Sequence, residues 1–426
     1  MFKTLVNAFK VPEIRKKIYM TLLMIVIYRV GCHIPIPGVN AAYIAQAMGS
    51  FDALGFLNLL SGGSFKDFTI FAMGISPYIT GSIIIQLLQV AIPALEKMSK
   101  EEDGRKKLQQ ATRWTGVALS LIQSVGIVLS LGPSAVYNPN FFSYATIGIV
   151  ATAGTCFLMW LGERITEIGI GNGISLLIFA SIASQIPQAI EKYGPYFGAG
   201  KLYPLWTIPV ILVLMLAIIV MVVFVNEGVR KVPVQYAKRV VGRKLYGGQS
   251  THIPLKPNAN GVMPLIFALT IMQFPLMIIQ IVDKNYQQGN IQGFTAFYMN
   301  YLQQGTVAYY IIYALLILGF AYFYTTITFN PIEMSKNLQQ NGGFLPGIRP
   351  GKPTSDYLAR ISSRLTFFGA AFLMILAIIP NLLLGIFNFK SPFGPTSVLI
   401  IVSVALETMD QLSSQMLLRH YKGFLS

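Results

Sequence analysis

Charge is scarce in this sequence: 11% of residues are Asp, Glu, Lys or Arg, while 54% are hydrophobic. A soluble surface needs more polar area than that, so a chain made only of water-exposed domains is excluded. Cysteine is scarcer still. Cys32 and Cys156 stand far apart in apolar surroundings, which rules out a disulfide framework or a zinc site and leaves them as packing residues. The three histidines, His33, His252 and His420, fall in separate segments, so no catalytic triad or metal set can be assembled from them. Spacings such as HExxH or a Walker loop are missing, and no cofactor is expected. Carboxylates are sparse in the apolar runs. Glu407 and Asp410 lie toward one end of the last run, and Glu163 and Glu167 at the end of another. Ion-coupled transport commonly relies on a carboxylate at mid-membrane, so a secondary transporter for a small solute is a weaker reading, and a membrane-embedded enzyme weaker again.

What the sequence has is long apolar runs. A hydrocarbon core of roughly 30 Å needs about 20 apolar residues in helical form, and Leu205 to Val225 is entirely uncharged. Hydropathy places ten spans, near 18–36, 75–92, 114–132, 143–161, 174–190, 205–225, 261–281, 308–328, 365–384 and 397–417. The expectation is an all-α polytopic membrane protein of ten transmembrane helices in two five-helix halves. Residues 1–190 form the first half, 191–204 an external linker and 205–426 the second half. Five spans on each side of the linker permit two halves of opposite orientation, a geometric suggestion only, since no convincing sequence identity relates them.

Basic residues set the orientation. Of 32 Lys and Arg, 26 fall in alternate connecting segments, and only Lys192, Lys201, Lys284 and Lys390 fall on the other side. By the positive-inside rule both termini are expected to be cytoplasmic. A polar stretch with five basic residues by Lys17 precedes the first run, unlike a cleaved leader, so the first span is expected to be retained. Arg29 and Lys66 remain inside or beside apolar segments. The same parity rejects a crossing at 53–73, because every later loop would invert against its charge. With Gly55, Ser61-Gly62-Gly63-Ser64, Lys66 and Asp67, this stretch is expected to enter and return as a short re-entrant helix, against the alternative of a plain external loop.

Two loops are longer than a connection requires. Residues 226–260 carry seven basic residues and an alternation of Val232, Val234 and Tyr236 that suits an exposed hairpin strand, with Gly247-Gly248 as a turn signal; residues 329–364 read as irregular. Phe2, Leu5, Val6 and Phe9 have the spacing of a surface helix. The Gly-rich stretch at 169–173 reads as a helix break. Ile75 and Ile79, and separately Ile174 and Ile178, lie four apart and share helix faces. Such pairs suit ordinary lipid-facing or core positions, or a hydrophobic constriction that excludes water.

The stretches at 61–89 (SGGSFKDFTIFAMGISPYITGSIIIQLLQ), 159–179 (MWLGERITEIGIGNGISLLIF), 234–268 and 342–354 (GGFLPGIRPGKPT) resemble the signature regions of the SecY family, in the family's order. The resemblance implies an hourglass channel that passes unfolded secretory polypeptides across the inner membrane and releases hydrophobic segments sideways into lipid. It implies a pore ring of Ile75, Ile79, Ile174, Ile178, Ile266 and Ala405, where a bulkier aliphatic is usual at the last position and a neighbour such as Leu406 can complete the ring. A plug is implied at about 57–67, including Leu57, Leu59, Leu60, Ser61, Gly62, Gly63 and Phe65. A lateral gate is implied with Thr80, Gln123, Asn258 and Phe274 among its contacts. Lys238, Arg239, Arg243 and Arg349 would receive the motor ATPase SecA or the ribosome, and SecE and SecG would be partner subunits. Signal peptides and unfolded preproteins would be the cargo.

Overall fold

The structure is a computed structural model that describes residues 2–48, 58–193, 206–236, 239–241, 244–246, 250–258, 261–282, 293–303, 305–386 and 395–422. Its helices in chain order are α1 (Phe2–Lys10), α2 (Pro12–Gly31), α3 (Ala41–Met48), α4 (Ser76–Ala91), α5 (Pro93–Lys100), α6 (Glu102–Ser130), α7 (Phe141–Ile168), α8 (Gly173–Ala183), α9 (Ile186–Tyr193), α10 (Thr207–Glu227), α11 (Met263–Val282), α12 (Gly293–Phe297), α13 (Val307–Thr328), α14 (Pro331–Gln340), α15 (Lys352–Ile386) and α16 (Pro395–Lys422).

Local chemistry explains many boundaries. Proline lies in the first turn of α2, α4, α5 and α14, where no backbone N–H is needed. Asn172 caps α8 by accepting from the amides of Ile174 and Ser175, and Asn330 caps α14 in the same way. Gly171, at φ +85°, lets the chain reverse between α7 and α8, as the Gly-rich stretch implied.

All ten apolar segments fall on helices. Among the described residues, six helices are individually long and apolar enough to cross a membrane: α6, α7, α10, α13, α15 and α16. The α4–α5 pair passes the same test only as a unit bent by 106°. Two segments fall short for physical reasons: α2 carries Arg15, Lys16, Lys17 and Arg29, and α8 stops at Ala183 before α9 resumes. α11 is 20 residues long, with Pro275 inside it. Along α10, Leu212, Val213, Leu216, Val220 and Phe224 are all more than half exposed, as befits a helix surrounded by hydrocarbon.

The first half is a bundle in which α6 packs on α4 and α7, and α7 on α2 and α8. In the second, α13 packs on α11 and α15, and α16 on α10 and α15. α4 and α6 approach very closely, because a Cβ on Gly81 would lie 3.0 Å from the Gly116 nitrogen. Among the described residues the halves meet along two seams: α11 lies against α4 and α6, and α16 against α8 and α1.

The stretch before α4 does not form a span-length helix. Helical at 58–60, it then runs through turns to Ile75, pinned where Ile36 N–H donates to Phe68 O (3.1 Å) and Ile70 N–H to Ile34 O (3.0 Å). Phe65 and Phe68 are fully buried in a cluster with Ile36, Ile44, Ile127 and Ile147.

The long loops are more ordered than their sequences suggest. β1 (Arg230–Tyr236) pairs antiparallel with β4 (Ser250–Leu255), while β2 (Arg239–Val241) and β3 (Lys244–Tyr246) form a separate pair toward the tip. Gly247-Gly248 lies outside the described residues. The strand expected to be exposed has Val232 and Val234 buried, and the loop read as irregular contains α14 and a short strand β5 (Gly343–Phe344). The reason is mutual burial. β5 extends the sheet on β1, and Leu345 and Leu358 close over Val232 and Val234, a contact that local periodicity does not reveal.

Candidate functional site

The candidate site lies where α4, α8, α11 and α16 converge. Ile75 precedes α4 as its N-cap residue and Ile79 follows one turn later, so both point from one face. Asn172 fixes the start of α8, setting Ile174 and Ile178 one turn apart, and Ile266 lies in the first turn of α11. Ile75, Ile79, Ile178 and Ile266 are all buried in one apolar cluster, and Ile174 packs against it. On α16, Val404 is buried in the same cluster and Leu406 packs against it, whereas Ala405 is exposed. Aliphatic side chains offer no directional contact. Such a cluster can exclude water and ions yet hold no particular ligand.

Leu59 and Leu60 belong to this same cluster, at 4% and 5% exposure. The residues around them are held by side chains from outside the segment. Tyr28 Oη donates to Ser61 O (3.1 Å), Arg29 Nη1 to Gly62 O (3.1 Å), and Gln185 Nε2 to Asn58 O (2.7 Å) and Leu59 O (3.1 Å). Within the segment, Ser61 Oγ accepts from the Phe65 amide and Asn58 Oδ1 from the Lys66 amide. Leu57 lies outside the described residues. In the sequence Arg29 stands out only as a charge in an apolar run, and no local pattern singles out Tyr28, Ser181, Ser184 or Gln185.

Of the four gate candidates, Thr80 and Gln123 are buried on α4 and α6, the helices that α11 touches, and Phe274 on α11 is 38% exposed. Asn258 takes another partner. Its Nδ2 donates to Asn226 Oδ1 (2.8 Å), and Asn226 donates in turn to Ser403 Oγ (3.3 Å), a polar chain within the second half. Phe267, one residue after Ile266, meets Phe320 and Tyr324 of α13 at ring separations of 5.8 and 5.1 Å.

The candidate contacts for a docked partner are split. Arg349 is exposed on a turn whose backbone is braced by Thr354 Oγ1 donating to its carbonyl (2.8 Å). Arg239 lies on β2, and Lys238 and Arg243 lie outside the described residues. Lys256, at the root of the hairpin, pairs with Asp410 of α16 at 2.5 Å.

The sequence model of the SecY family matches residues 69–409. The protein translocase subunit SecY of Halalkalibacterium halodurans is 45% identical over 436 residues, covering the whole of both chains. The chain belongs to the SecY family.

Solved structures agree on the fold. A SecY structure, described as showing that the plug domain stabilizes the closed state of the translocation channel and maintains a membrane seal, superposes with a TM-score of 0.62 at 20% identity. Sec61 from the canine ribosome–channel complex of the endoplasmic reticulum superposes at 0.59 and 19%. Each alignment covers 96% of both chains. The SecY fold therefore accounts for almost the whole molecule.

Proposed function

We propose that this chain is the pore-forming subunit of a protein-conducting channel, which passes unfolded secretory polypeptides across the membrane and releases hydrophobic segments sideways into lipid. One observation carries the reading. Isoleucines of three converging helices, Val404 of a fourth and two leucines of a returning segment share a single apolar cluster at the junction of two helical bundles. A path for chains of every composition needs walls that bind nothing and yield to bulk, and aliphatic side chains supply both.

In this reading Ile75, Ile79, Ile174, Ile178, Ile266 and Ala405 form the constriction, with Leu406 adding bulk beside the small Ala405. Residues 57–67 are the plug, seated through Leu59 and Leu60. The lateral gate is the seam of α11 with α4 and α6, so Thr80, Gln123 and Phe274 flank the exit, while Asn258 supports the start of α11. The excess of basic residues on one side supports an inner-membrane protein with both termini cytoplasmic. On that face the two joined loops present Arg349 and the hairpin to SecA or to a ribosome, whose acidic or phosphate-rich surfaces suit a basic partner. SecE and SecG are the expected companion subunits. The experiment is a photocrosslink from a stalled secretory chain to probes placed at Ile79 and Ile266. Trapping at both positions supports the path, and a stalled chain that reaches neither removes it.

A further inference from the structure

A guanidinium in a membrane helix is unfavourable unless it is partnered, and intramembrane charges therefore mark function. Arg29 sits in the last turn of α2. Among the described residues four ion pairs form, and none includes it. Its Nη1 donates instead to the Gly62 carbonyl (3.1 Å) and to Ser184 Oγ (2.9 Å) just beyond α8. Next to it, Tyr28 Oη bonds the Ser61 carbonyl and lies 2.6 Å from Ser181 Oγ of α8. Gln185 reaches the Asn58 and Leu59 carbonyls.

We propose that Tyr28, Arg29 and Gln185 form a latch that holds residues 58–63 in the closed pore by their main-chain carbonyls, so that release depends on the spacing of α2 and the α8–α9 joint. The inference rests on reading this segment as the plug. Three donor side chains address four carbonyls, at positions 58, 59, 61 and 62, so the latch grips the backbone whatever side chains the segment carries. Bonds from a charged donor are the stronger kind, which makes Arg29 the principal tie. The latch also bridges two helices. Tyr28–Ser181 and Arg29–Ser184 tie α2 to the end of α8, and any movement that parts these helices withdraws donors from the segment together. Gly62 is part of the device: it lies at φ +69°, and a Cβ there would come within 2.9 Å of Tyr28 Oη and 3.1 Å of Arg29 Nη1.

Resting ion conductance of the reconstituted channel complex in planar bilayers tests the latch. Arg29→Gln and Gln185→Leu are each expected to raise the open fraction about tenfold, the change in equilibrium expected from losing one charge-assisted hydrogen bond or a pair of weaker neutral ones. Arg29→Lys, which keeps a charged donor, should restore part of the seal. With residues 57–67 deleted, the same substitutions should add nothing, because no segment remains to be held. If the deletion leaks while Arg29→Gln and Gln185→Leu seal like the wild type, the latch is refuted and the plug reading stands. A deletion that does not leak overturns the plug reading itself. Equal leaks from the substitutions with and without the segment would mark a general structural role and also refute the latch. Should Arg29→Gln fail to accumulate in the membrane, Gln185→Leu and its pairing with the deletion decide the matter.

Discussion

Single residues in this molecule act by closeness. Gly62→Ala would set a methyl group against the Tyr28 hydroxyl and the Arg29 guanidinium, and a left-handed φ adds strain for any side chain. The expected outcome is a channel that assembles normally but leaks ions at rest, read as conductance without a translocating chain. Gly81→Val places bulk where α4 already touches the Gly116 backbone, and overpacking there should cost about 2 kcal/mol, seen as a lower unfolding temperature of the detergent-solubilised protein. Arg349 differs from both, because it is exposed and its turn is braced from behind by Thr354 and by buried Leu345. Arg349→Glu is therefore expected to abolish SecA-driven translocation in vesicles while insertion and assembly persist. Translocation at the wild-type rate would show that the position is not a docking contact.

At the scale of elements, what the sequence makes legible follows from the range of the interactions involved. The ten apolar segments could be read because lipid imposes length and apolarity on each helix separately. The break at 169–173 could be read because glycine and the Asn172 cap act within a few residues. The order of the two long loops could not be read: Val232 and Val234 find their cover in Leu345 and Leu358, more than a hundred positions along the chain. The ties on residues 58–62 were hidden for the same reason, since Gln185 and Asn58 meet across 127 positions. This dependence between loops is testable. Val234→Asp buries an unpaired carboxylate between sheet and helices, and it should make the loops protease-sensitive and weaken partner docking while leaving the membrane bundle intact. Loops that stay protease-resistant would show that the sheet does not depend on this contact.

For the whole molecule, the relevant feature is the pair of seams between the halves. The α11 seam with α4 and α6 is the expected exit to lipid, and a cleavable thiol crosslinker between cysteines at Thr80 and Phe274, with Cys32 and Cys156 replaced, should halt translocation until it is cut. Undiminished transport through the crosslinked channel would place the exit elsewhere. The excess of basic residues on one face adds a salt signature: association with an acidic partner should weaken as ionic strength rises, because surface attraction is screened beyond about 8 Å at physiological salt. The hairpin on that face gives docking a mechanical meaning. β1 follows α10 and β4 leads into α11, and the six-residue ladder between them resists stretching. At its root, Lys256 pairs with Asp410 of α16. In the proposed reading, a push on this ladder bears on the neighbouring first turn of α11, which carries Ile266, so that docking on the loop would act as torque on the constriction.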